Sequence, residues 1–399
     1  MSVTVDPLRE AEELREQLSS GKRRLLLFFG AGTSQAAGID GIGQLTEGVR
    51  SALTPAQQKH YDHIIEDSGA IGNVENVLNR LRLCRELIGE STTAQINGLV
   101  GEEACDMDRT ICRAIYDRVR IDPPKGFQVH SEFAAWLNSV QRERPPEIFT
   151  TNYDLLIERG LEIAEVPHFD GFIGTVSPYF SAAACDIDEE IRPDYSNIPR
   201  TWTRLWKLHG SIGWRYATEV ITGVRKVVRS PIDPSTSDDL MIFPSREKYS
   251  DSRRLPFVAL HDRLRRITSS GECLLLVAGY SFSDQHINDI IFSNLRSNNR
   301  LSVTVLLYDS LKNAEIAANL LQPAQGMQNL TVYAPDMALI GGTLGTWSRP
   351  PEPPEGVTRW PFWNNDTNLF ALGDFANLPT FLKEFIGART LAGIKQAAS

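Results

Sequence analysis

The sequence predicts an α/β fold: a Rossmann-like, doubly wound and mainly parallel sheet with a helical insertion and a C-terminal extension. Three observations predict it. Continuous apolar runs at residues 25–29 and 273–278, and the largely apolar stretch LSVTVLLY at 301–308, suit strands buried on both faces. Segments with helical spacing alternate with these runs, which is the βαβα order of a parallel sheet. Small or polar residues follow several of the strands, where open α/β sheets bind ligands.

Taken in order, residues 6–18 carry Leu8, Ala11, Leu14 and Leu18 at helical spacing, a first amphipathic helix. The strand 25–29 runs into Gly30-Ala31-Gly32-Thr33-Ser34, a tight turn opening a helix, whose unpaired N–H groups suit a phosphate. The dinucleotide fingerprint fails here, because Gln35 stands where its third glycine belongs and Arg50-Ser51 where its acidic residue belongs. Residues 54–119 read as helices, with Val74, Val77, Leu78 and Leu81, then Ile111, Ile115 and Val119, as apolar stripes. Arg80, Arg82 and Arg85 read as a solvated face, and the prolines within 121–126 close this insertion.

A helix over 129–140 presents Phe133, Trp136, Leu137 and Val140, and a short strand at 147–150 leads to Thr151-Asn152-Tyr153-Asp154. A helix at 155–164 follows, then a Gly-, Pro- and Ser-rich loop or lid at 167–201. The strand 204–209 ends at His209-Gly210-Ser211, and a hairpin is expected over 216–230, closed by Pro231 and Pro234. Next come a helix at 256–267, the strand 273–278, and Gly279-Tyr280-Ser281-Phe282-Ser283-Asp284, with Asp284 as N-cap of a helix through Ile287, Ile290, Ile291 and Leu295. The strand 301–308, a helix at 314–321 and a last strand at 329–333 complete the sheet. The expected organisation is an N-terminal helix (1–20), a nucleotide-binding domain (21–340) with its insertion at about 54–120, and an aromatic-rich extension (341–399) ending in a helix near 378–386. Trp347, Trp360, Phe362 and Trp363 in that extension read as core or subunit contact.

The net charge of −9 argues against a nucleic-acid groove as the main business. Five cysteines, none in a C-x-x-C pair, offer neither a disulfide framework nor a closely spaced zinc quartet. With no apolar leader and no membrane-length run, a cytoplasmic protein without a membrane span is expected.

Four strand-end motifs stand in one order: Gly30-Ala31-Gly32-Thr33-Ser34, Thr150-Thr151-Asn152-Tyr153-Asp154, His209-Gly210-Ser211 and Gly279-Tyr280-Ser281. Together they resemble the sirtuin family, whose pattern is GAG-x-S, T-Q-N-x-D, HG after a strand and a late G-x-S. The resemblance covers roughly residues 25–333 and implies an NAD site. It places Gly30, Ala31, Gly32, Thr33 and Ser34 at the pyrophosphate, and Asn152 at the ribose with a water beside the scissile nicotinamide bond. Asp154 and Thr151 fall in the same pocket, His209 acts as general base, and Gly279, Ser281 and Asp284 lie along the adenosine ribose. The pattern also departs from the family. Gly38-Ile39-Asp40-Gly41-Ile42-Gly43 replaces the G-I-P-D-F-R segment, Thr151 replaces the usual Gln, and the four-cysteine zinc module is absent.

These departures resemble the divergent bacterial sirtuin-type effectors of antiphage defence. That resemblance implies an NAD glycohydrolase with NAD as substrate, no zinc, a homo-oligomer, and gating by a trigger or a partner such as a HerA-type ATPase. The alternatives are an NAD-dependent protein deacylase and a non-catalytic NAD or ADP-ribose sensor or assembly subunit.

Overall fold

The computed structural model of the chain describes residues 3–68, 72–88, 91, 95–96, 98–120, 128–185, 198–199, 201–218, 223–230, 240–242, 255–353 and 357–383. A ten-stranded sheet forms its centre. Its strands are β1 (Val3–Val5), β2 (Arg24–Phe29), β3 (Glu147–Thr150), β4 (His168–Phe169), β5 (Thr203–Lys207), β6 (Cys273–Ala278), β7 (Leu301–Leu306), β8 (Leu330–Tyr333), β9 (Met337–Ile340) and β10 (Thr343–Trp347). Their spatial order is β1-β10-β9-β8-β7-β6-β2-β3-β5-β4. From β8 across to β4 every pairing is parallel, so the fold is the Rossmann-like α/β sheet the apolar runs predict.

β2 sits in the middle because both its faces are apolar. Leu26 and Phe28 enter one core with Leu275 and Val277 of β6, while Leu25, Leu27 and Phe29 enter the other with Leu274 and Leu276. Each of these buried side chains contributes on the order of 2 kcal/mol of transfer free energy. The first helix, α1 (Pro7–Ser19), starts where Asp6 accepts a hydrogen bond from the Leu8 amide at 3.0 Å and Pro7 fixes the first turn. Its Ala11, Leu14 and Leu18 cover the second face.

After the short helix α2 (Ala31–Gln35), helices α3 (Ile42–Ala52), α4 (Pro55–Asp67), α5 (Val74–Ile88) and α6 (Gly101–Val119) build a layer with its own core of Leu45, Val49, Tyr61, Val77, Leu81 and Ile111. α7 (Gln128–Ser139) and α8 (Leu156–Ile163) bracket β3 in the chain. A short helix α9 (Ala182–Cys185) lies within the expected lid. The helices α10 (Phe257–Ser269) and α11 (Gln285–Ser297) bracket β6, and Asp284 caps α11 through the His286 and Ile287 amides.

Several details differ from the sequence expectations. Arg82 and Arg85 do not form a solvated face: both bond the buried Asp108 of α6, at 3.2 and 2.5 Å, and so clamp α5 to α6. Helical periodicity cannot reveal such a pairing, since the partner comes from another helix. Residues 329–333 are not the last strand. β9 and β10 continue the sheet antiparallel, and β1 pairs parallel with β10.

The hairpin strand begins earlier than expected, at Gly210, and Gly210–Thr218 pairs antiparallel with Arg225–Arg229 inside a second, five-stranded sheet. The aromatic segment is core: Phe362, Trp363, Phe370, Phe375 and Phe381 pack with Phe29 and Phe133. Pro231, Pro234, the 121–126 segment and the end of the terminal helix past residue 383 lie outside the described residues. Among the described residues no helix is long and apolar enough to cross a membrane.

Candidate active site

The sheet order β6-β2-β3-β5 sets four strand ends side by side, and all four are parallel. The turns that leave them therefore emerge on one edge. Gly30–Ser34 leaves β2, Thr151–Asp154 leaves β3, Leu208–Ser211 leaves β5 and Gly279–Asp284 leaves β6.

Three glycines let two of these turns touch. Gly32 N donates to Gly279 O at 2.8 Å, and Gly30 N donates to Ala278 O at 3.0 Å. A Cβ on Gly30 would lie 2.5 Å from Gly279 O, and one on Gly32 would lie 2.7 Å from Gly279 Cα. Gly279 itself has φ +64°, and its Cβ would meet Thr33 N at 2.5 Å. Backbone meets backbone here, so no side chain fits.

Asn152 ties the third turn to the first. Its Nδ2 donates towards Gly30 O at 3.0 Å, Thr33 Oγ1 at 3.0 Å and Ser34 Oγ at 2.8 Å. The Gly30 carbonyl can only accept, which fixes the amide's orientation. Thr33 Oγ1 donates in turn to Gly30 O, and Ser34 Oγ donates to Asp154 Oδ2 at 2.6 Å. The other Asp154 oxygen accepts from the Leu156 amide at the start of α8. Asn152, Ser34 and Asp154 are buried, and the network spends every donor named on an acceptor.

His209 follows β5, and its Nε2 stands 3.0 Å from Asp284 Oδ2, both side chains being buried. A carboxylate accepts, so Nε2 carries the proton and a neutral ring holds its lone pair on Nδ1. Asp284 thus does two jobs: Oδ1 caps α11, and Oδ2 holds the imidazole. The resemblance implied a ribose contact for Asp284, the sequence itself an N-cap, and neither showed its partnership with His209, because the two lie on different strand ends.

Lys207 is a further residue that sequence reasoning passed over. Its side chain is 1% exposed, its Nζ pairs with Glu158 Oε1 at 2.8 Å, and it donates to the Asp154 backbone carbonyl. Its sequence signal is weak, because the strand also carries Thr203 and Arg204 and a second charge there does not stand out. Burial holds the Glu158 carboxyl above its ordinary pKa, against the lowering pull of Lys207. Burial likewise pushes the His130 imidazole down to about 4, although the Asp154 charge pulls it up.

These turns open onto a cleft of about 1260 Å³, ample for a nucleotide-sized ligand. Ala31, Gly32, Ser34, Thr151, Asn152, Asp154, His209, Gly279, Ser281 and Asp284 line it, whereas Gly30 and Thr33 stand behind it as parts of the turn. Tyr308 and Asp309, beyond β7, extend the lining in the direction away from His209. Among the described residues no group of three His, Cys, Asp or Glu side chains is placed to hold a metal ion.

Residues 146–323 match the family described as the SIR2-like domain. That span includes the Asn152, His209 and Gly279 turns and leaves out the Gly30 turn. Among solved structures the chain is similar to a Sir2 homologue in complex with NAD, at 14% identity over 80% of this chain and 87% of that one, with a TM-score of 0.37. It is also similar to a mutant Sir2 homologue in complex with 2′-O-acetyl ADP-ribose, at 13% identity over 75% and 85%, with a TM-score of 0.36. No curated protein matches the chain.

Proposed function

We propose that this sirtuin-like chain, with its SIR2-like domain at residues 146–323, hydrolyses NAD to nicotinamide and ADP-ribose. The SIR2-like domain supports an NAD-using enzyme. The observation that carries the hydrolytic reading is the convergence of Asn152, Ser34, Asp154 and the His209–Asp284 pair on one cleft.

In this reading the turns of β2 and β6 hold the pyrophosphate, and Ser281 lies towards the adenosine side. The nicotinamide ribose lies over Asn152. The C1′–N bond breaks with its electron pair passing to the ring nitrogen, so a pyridinium leaves as neutral nicotinamide and needs no acid. Water then forms the C1′–O bond and gives up one proton. Asn152 has committed its amide nitrogen to the turn, so Oδ1 is the atom it offers, an acceptor suited to fixing the attacking water. His209 takes the proton on Nδ1, and Asp284 balances the imidazolium. Asp154 and Ser34 position Asn152 and meet no reacting atom directly.

The proposal extends to a defence effector that acts in the cytoplasm by NAD depletion, assembles as an oligomer and is held quiet until a trigger or partner arrives. Nicotinamide release by the purified chain, alone and with proteins encoded beside it, tests the chemistry. N152A and H209A are expected to lose at least ~100-fold in kcat, as the removal of a positioned acceptor or base does. Unchanged turnover in N152A would refute the site assignment. With an acylated peptide present, plain ADP-ribose supports hydrolysis, whereas O-acyl-ADP-ribose would replace it with deacylation.

A further inference from the structure

We propose that Lys207 is a positioning residue that sets the height of the Asn152–Asp154 turn in the cleft, and does so through its bond to the Asp154 carbonyl. The inference deepens the hydrolytic reading above and rests on it for its activity readout.

A lysine at the end of a fully buried strand is costly unless its charge is met. Lys207 is met twice, and both partners belong to the same neighbouring segment. Glu158 sits on the first turn of α8, and Asp154 is the residue whose side chain receives Ser34 and accepts from the Leu156 amide at the start of that helix. The ammonium therefore spans from β5 to the β3–α8 connection. The same connection holds Asn152, two residues back, against the Gly30 turn.

The neighbouring links are backbone ones: Leu208 N donates to Thr150 O at 2.8 Å, and Ile212 N donates to Tyr153 O at 2.8 Å. These bracket the turn at both ends. Lys207 is the side chain from β5 that reaches the last residue of the turn, Asp154, where the chain enters α8. The two contacts do different work. The Glu158 ion pair neutralises a buried charge, and the Asp154 carbonyl bond fixes the turn beside the reacting centre. A small displacement there is amplified, because a shift of ~1 Å at a reacting group can cost ~100-fold in rate.

Three variants separate the contacts. K207M removes both and strands Glu158, so lost stability is expected along with lost turnover. K207M/E158L removes the charge pair together with its desolvation cost, a replacement that is often neutral or stabilising, yet still lacks the donor to Asp154. E158Q keeps the Lys207 bond to Asp154. The double variant is expected to melt within a few degrees of wild type while kcat for NAD falls at least ~10-fold and KM changes less than ~3-fold. E158Q is expected to keep at least half of the wild-type kcat. Wild-type kcat in the stable double variant, or an equal loss in E158Q, would overturn the inference and leave Lys207 with a purely structural role. Absence of NAD turnover in the wild type would instead refute the hydrolytic reading. Amide hydrogen exchange at residues 151–155 then still reads the inference: faster exchange in K207M/E158L than in E158Q supports it, and equal exchange overturns it.

Discussion

Substitution of Gly279 by alanine tests the contact on which the cleft is built. Two costs add. The residue has φ +64°, and holding a side chain in the left-handed region costs roughly 1–2 kcal/mol. The new methyl group would also lie 2.5 Å from Thr33 N, 2.9 Å from Gly32 C and 3.0 Å from Gly32 Cα. Ordinary contact for a Cβ begins near 3.4 Å, so the turns must part by about 0.9 Å (3.4 − 2.5). All three obstacles are backbone atoms, and no side-chain rotation relieves them. Parting the turns breaks the Gly32 N to Gly279 O bond and drags Ser34, with its link to Asp154 and Asn152. We expect G279A to lower stability by about 2–3 kcal/mol and kcat/KM for NAD by on the order of 100-fold. Thermal unfolding and nicotinamide release measure the two effects. A folded G279A that turns over NAD at the wild-type rate would show that the mutual spacing of these turns does not govern the site.

Two further predictions concern the supports of the site. His130 titrates near 6.5 in the unfolded chain and near 4 in the folded one, so between those values the unfolded state binds the extra proton and stability falls as pH falls. The difference of about 2.5 in pKa corresponds to at most about 3.4 kcal/mol, lost between pH 6.5 and 4, and H130F is expected to flatten that part of the melting-temperature profile. A pH profile identical in the variant and the wild type would exclude His130 as its source. At the base of β3, buried Glu147 pairs with Arg263 at 2.5 Å and accepts from the Trp206 indole at 2.7 Å. R263M is expected to destabilise the fold by roughly 3–5 kcal/mol at neutral pH, because it leaves a buried carboxylate without its cation. The loss should shrink in acid, as Glu147 becomes protonated, and urea unfolding at pH 7 and pH 4 checks both parts.

Much of this architecture was legible in the sequence because burial on both faces writes a local pattern. The runs 25–29 of β2 and 273–278 of β6 are apolar without interruption and each ends at a glycine, while β7 carries Ser302 and Thr304 among its apolar residues. The four strand-end motifs were legible for the same reason, each being contiguous. What stayed hidden is what depends on partners far along the chain. The pairings of Lys207 with Glu158, His209 with Asp284 and Arg82 with Asp108 appear only once topology joins their elements. β10 was obscured differently. Thr343–Trp347 holds a central glycine, and Gly345 lies directly against Val3, so close packing with β1 gives a sequence that does not look like a strand.

The β2–β6 pairing has a consequence for synthesis. It sets Leu27 beside Leu276 and brings the Gly30 turn against Gly279, so the two halves of the cleft come from segments far apart in the chain. A ribosome must deliver the chain through Gly279 before the turns can meet. A nascent or prematurely terminated chain that stops short of Gly279 holds the Gly30 turn without its counterpart. If the protein consumes NAD, this late assembly leaves unfinished copies with only part of the cleft that would do so.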